Sequence, residues 1–147
     1  MKDINQSKKE TKETPSDLHK PTTLNKAIKI AVGAMRKNLP MKIDDELSLT
    51  DVKAKERTMV LGYTLTNLTA EDISAKKLHD LLYEDIKKQV CSDNETTVML
   101  KKGMVTEYQY EGKEKKFITA FEFDAKSCGL KTNAKQLMEN LKKLLKK

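Results

Sequence analysis

The sequence is poor in the residues that most catalytic and metal sites are built from: its 147 residues include two histidines, two cysteines, five glycines and no tryptophan. None of the glycines (33, 62, 103, 112, 129) falls in a GxGxxG or GxxxxGK[ST] pattern, which excludes the common phosphate-cradling loops. HExxH, CxxC and EF-hand spacings are absent. His19 lies in a polar N-terminal stretch and His79 sits beside Asp80. A nucleophilic pair of His79 with Cys91 would span twelve helical residues, about 18 Å at 1.5 Å per residue. No enzyme activity, metal, cofactor or small-molecule substrate is therefore expected. No run approaches the roughly 18 apolar residues of a membrane span, and Met1 is followed by polar residues, so no secretory signal is expected. Arginine is also scarce: only Arg36 and Arg57 among 29 basic residues, which argues against base-edge reading of DNA.

Charge is abundant but uneven. The formal net charge is +7, and residues 131–147 carry six lysines (131, 135, 142, 143, 146, 147) against Glu139, or +5, leaving +2 for everything before. Residues 1–22 have no aromatic and only Met1, Ile4 and Leu18 as large apolar side chains, so they read as a flexible arm. All seven aromatics lie between positions 63 and 123, which locates the core of one domain over 23–130.

The periodicities give the order α-β-β-α-α-β-β-α. A first helix over 25–38 follows from Leu24, Ile28, Ala31, Val32 and Met35, with Pro40 ending it. Strands are expected over 48–54 and 58–67, the second with Met59, Leu61, Tyr63 and Leu65 on one face. A helix from Thr69 to Cys91 would bury Leu78, Leu81 or Leu82, Ile86 and Val90, with Asp72 completing a capping box. Ser92, Asp93 or Asn94 caps a short helix that Gly103 closes. A hairpin then runs through 104–111 and 115–125, turning at Gly112, and Asn133 opens a basic C-terminal helix striped by Leu137, Leu141, Leu144 and Leu145. The expected fold is α+β, an antiparallel four-stranded sheet covered by helices.

Cys91 and Cys128 each sit at the end of an element, where a helix packed on a sheet brings them within bridging reach; the spacing alone fits either a disulfide or two buried thiols. A bridge over this 37-residue separation would contribute on the order of 3 to 4 kcal/mol and would imply an oxidising compartment.

Taken together, Asn38-Leu39-Pro40 after a helix, a strand led by Leu47 to Val52, Gly62-Tyr63-Thr64-Leu65, Cys91 shortly before an Asp, Leu100 to Gly103, Tyr108-Gln109-Tyr110, Gly112 and a final Cys128 form a pattern. It resembles the α/β pilotin lipoproteins of type II secretion over residues 24–129. The resemblance implies a Cys91–Cys128 disulfide and a periplasmic or outer-membrane-associated binding module. Its partner would be a C-terminal segment of a secretin subunit, which such a module helps to localise. No lipobox cysteine precedes the domain in this sequence, and the helix over 133–147 lies beyond the matching part. On this reading a groove between helices and sheet takes the partner, with Met59, Tyr63, Leu82, Tyr108 and Tyr110 as candidate contacts, each of them also fit for ordinary core. The competing reading is a cytoplasmic basic adaptor that holds nucleic acid or other polyanions through its C-terminal helix, with Lys142, Lys143, Lys146 and Lys147 as contacts; on either reading residues 131–147 can touch anionic lipid or nucleic acid weakly.

Overall fold

A computed structural model describes residues 21–145. All but the last two residues of the expected arm, and Lys146 and Lys147 of the expected cationic set, lie outside that range. The first helix, α1, spans Pro21–Arg36 and buries Leu24, Ile28 and Val32 along one stripe. It starts four residues before the expected position, since proline lacks an N–H that the first helical turn would leave unpaired in any case. Arg36 fastens its end to the sheet: Nε donates to the Val52 carbonyl at 2.8 Å, and the guanidinium lies 3.8 Å from the Asp51 carboxylate.

Five strands follow the order of the chain: β1 (Met41–Asp44), β2 (Leu47–Lys55), β3 (Thr58–Leu65), β4 (Val105–Glu111) and β5 (Phe117–Phe123). This corrects the expected four-stranded antiparallel sheet on two counts. β1 is an additional edge strand of four exposed residues, and with no buried face it leaves no alternation to read. β3 and β4 pair in parallel, with Leu61 opposite Tyr108 and Tyr63 opposite Tyr110, while the other three pairings are antiparallel. The parallel step follows from the crossover: α2 (Ala75–Ser92) and α3 (Asn94–Lys101) carry the chain back to the end where β3 began.

The second helix begins later than Thr69. The Thr69 N–H does donate to Asp72 Oδ2 at 2.8 Å, as a capping box would have it, but this closes only a single turn. Ser74 then caps α2, its Oγ accepting from the Lys77 N–H at 3.1 Å. Asp93 caps α3, and Gly103 ends it at φ +109°, a conformation costly for any residue with a Cβ. Gly112 is required for space: a Cβ there would lie 2.7 Å from the Ala70 backbone nitrogen.

One sheet face carries the core. Leu49, Val52, Leu61, Tyr110, Phe121 and Phe123 meet Ile28 and Val32 of α1, Leu78, Ile86 and Val90 of α2, and Leu100 of α3 in one cluster. Phe123, Ile28, Leu100 and Val52 are fully enclosed, each worth about 1.5–3 kcal/mol of apolar burial. α1 packs over β2 and β3, and α2 packs over β5. The last helix, α4 (Asn133–Leu145), buries none of its residues.

Candidate functional site

Because α1 covers β2 and β3 while α2 covers β5 on the same sheet face, the strip between them is closed only in part. There an apolar groove of about 560 Å³ opens between α1, α3 and the middle strands. Its α1 wall is a row of small side chains, Ala27, Ala31 and Ala34, on the helix flank beside the buried stripe. The floor and the far wall are thioethers and a ring: Met59 on β3, Met99 on α3, Met104 before β4, and Tyr108 on β4, with Met35 at the α1 side. Small residues permit close approach of another backbone, and methionines adapt to irregular apolar surfaces. At the α3 end the groove turns acidic, with Asp93 and Glu95 both exposed at its rim. Asp93 is fixed there by its capping role, accepting from the Thr96 N–H at 2.9 Å and from Thr96 Oγ1 at 2.6 Å; these bonds hold its carboxyl below the usual range.

The five candidate contacts separate in space. Met59 and Tyr108 line the groove. Tyr63 stands next to Tyr108, their rings stacked at 6.0 Å between centroids, and stacks on Tyr110 at 5.2 Å on its other side. Tyr110 is buried, and its ring meets Phe121 edge-on at 5.6 Å. Leu82 packs half-buried against the core under α2 and does not border the groove. An aromatic layer thus extends from the groove floor to α2, where Tyr83 and His79 stack on each other at 5.0 Å. Desolvation raises the Tyr63, Tyr108 and Tyr110 hydroxyls above the ordinary phenol range, so all three are neutral near pH 7.

Cys91 and Cys128 are joined, with Cα atoms 5.3 Å apart. Cys128 lies in the turn after β5, where its N–H donates to the Ala125 carbonyl, beyond the end expected for that strand. The bridge therefore ties that turn to the last helical turn of α2, just ahead of the Asp93 cap from which α3 departs. It fixes the origin of one groove wall.

The alanine row, Met35, Met99, Met104 and the acidic rim line the groove without having been candidate contacts in the sequence. Ala31 and Met35 were visible as helix-face residues, but only the tertiary arrangement turns that face into a wall. On the opposite sheet face a smaller cavity of about 290 Å³, bordered by Lys53, Gln109, Lys115 and Phe117, contains a hydrogen-bonded chain. Thr64 Oγ1 donates to Glu111 Oε2 at 2.7 Å and lies 2.8 Å from Thr50 Oγ1. Among the described residues, no cluster of three or more His, Cys, Asp or Glu side chains is arranged to hold a metal ion, and no helix is long and apolar enough to cross a membrane.

This arrangement is the pilotin-like α+β fold. The solved structures that share it include two pilotins of type II secretion systems, EpsS of Vibrio vulnificus (TM-score 0.61, 16% identity) and AspS of Vibrio cholerae (TM-score 0.58, 13% identity). Each is matched over 94% of its own length by 74% of this chain. A Pseudomonas aeruginosa protein thought to be secreted matches at TM-score 0.63 and 17% identity, over 74% of this chain and 95% of its own. No family model and no curated protein sequence matches the chain.

Proposed function

We propose that the protein is a non-enzymatic binding module of the cell envelope that captures a segment of a secretin subunit in the groove between α1 and α3, as a pilotin would. The observation that carries this reading is the groove itself: an open apolar trough, walled by alanines and floored by methionines, in a pilotin-like fold. Its shape and chemistry favour an amphipathic helix, laid with its apolar face on Met59, Met99 and Tyr108 and with a lysine or arginine directed at Asp93 and Glu95. The Cys91–Cys128 bridge supports an extracytoplasmic location, because such bonds persist where the thiol pool is oxidised.

The test is calorimetric titration of the full chain with the C-terminal segment of the secretin from the same genome. One-to-one binding is expected. Ala27→Glu with Ala34→Glu, both at exposed helix positions, should weaken it at least tenfold while far-UV circular dichroism and melting temperature stay unchanged. Undiminished affinity in that variant, or no binding by the wild type, would overturn the proposal.

A further inference from the structure

The described structure leaves one strongly patterned element without a partner. Leu137, Met138, Leu141, Leu144 and Leu145 of α4 are between 44 and 84% exposed, although nothing in their chemistry favours contact with water. At 3.6 residues per turn they and Ala134 occupy one arc of about 120°, and Lys135, Lys142 and Lys143 fall on the opposite side. Glu139, the acidic residue of this face, is engaged by Lys131 Nζ at 2.7 Å and thereby neutralised. Two further lysines, 146 and 147, follow in the sequence.

We infer that α4 is an in-plane membrane-binding helix that seats its leucine arc among the acyl chains of an anionic bilayer while its lysines meet the headgroups. Two features of the helix select this occupant. Nucleic acid would engage the lysines and leave five large apolar side chains in water, whereas a bilayer interface satisfies both faces at once. A second copy of the chain would cover the leucines, but it would set two segments of net charge +5 side by side. The helix is about 20 Å long, suited to lying along the surface and too short to span it. The inference does not depend on what the groove between α1 and α3 binds.

Flotation of the full chain with phosphatidylcholine vesicles containing one third phosphatidylglycerol, beside pure phosphatidylcholine vesicles, tests it. Partitioning onto the anionic vesicles should exceed that onto neutral ones by at least tenfold, given roughly fivefold per lysine near the surface. Leu141→Gln with Leu144→Gln keeps every charge; it should lose at least tenfold in vesicle binding while its retention on heparin stays the same. Because the chain has no tryptophan, Leu144→Trp gives a single reporter whose emission should shift to the blue only with anionic vesicles. Equal vesicle binding by the glutamine variant would reduce α4 to a plain polycation and overturn the inference. So would a wild type that stays unbound, or one that forms a dimer broken by the glutamine variant and ignores vesicles.

Discussion

Tyr63, Tyr108 and Tyr110 place three phenols where water is scarce, and desolvation raises all three above the ordinary 10.0. A phenol becomes charged on losing its proton, so burial favours the protonated form. Above pH 10 the folded chain therefore holds protons that the unfolded chain has released, and stability must fall as pH rises through that range. In a Tyr83→Phe background, which leaves these three phenols alone, the urea midpoint should be level from neutrality to about pH 9 and decline from about pH 10 upward, with phenolate absorbance appearing together with unfolding. A midpoint that stays level past pH 10 while phenolate appears in the folded protein would contradict this. The disulfide acts at the same scale: Cys91→Ser with Cys128→Ser should cost about 3–4 kcal/mol and lower the melting temperature by more than about 10 °C. At the level of single residues, conspicuous side chains were a mixed guide, since Tyr63, Tyr110 and Leu82 do not border the groove. Met59 and Tyr108 stood out by chemistry, and both line the groove. Ala27 and Ala34 did not, because an alanine on a helix flank has no signature until a second wall faces it.

Among the elements, the long periodic helices were legible because burial repeats in them: Leu24, Ile28 and Val32 in α1, and Leu78, Ile86 and Val90 in α2. The hairpins β2–β3 and β4–β5 were also legible, as each joins alternating strands through a short polar turn. What local patterns do not encode is how the two hairpins meet. That is set by the α2–α3 crossover, which returns the chain to the end where β3 began and so makes β3 and β4 parallel. The start of α2 was misplaced for a related reason, since Thr69 with Asp72 and Ser74 with Lys77 each offer a cap and only packing of Leu78 onto the core selects the second. Ser74→Ala should accordingly cost about 1 kcal/mol in denaturant unfolding, whereas Thr69→Ala should cost less, because the Thr69 bond to Asp72 uses its backbone N–H, which alanine retains. Equal losses at the two positions would mean that the turn at Thr69 supports α2 as strongly as its own cap does.

At the scale of the molecule, fold and charge are carried by different stretches of chain. The 94–95% of each structural neighbour that is matched uses 74% of this chain, so about a quarter of it adds to the shared fold. Residues 131–147 hold +5 of the net +7, and α4 within them buries nothing. Stability comes from area removed from water, not from exposed lysines, so a chain ending at Leu130 should keep its melting temperature within about 3 °C of the full protein. Its net charge drops from +7 to +2, so retention on a cation exchanger should collapse, while the groove, built from residues 27 to 108, keeps its affinity for any segment it binds. The two readouts are separable. A truncated chain that melts more than about 10 °C lower would make the leucines of α4 part of the core, and one that stays folded but loses groove binding would make α4 a third wall of that site.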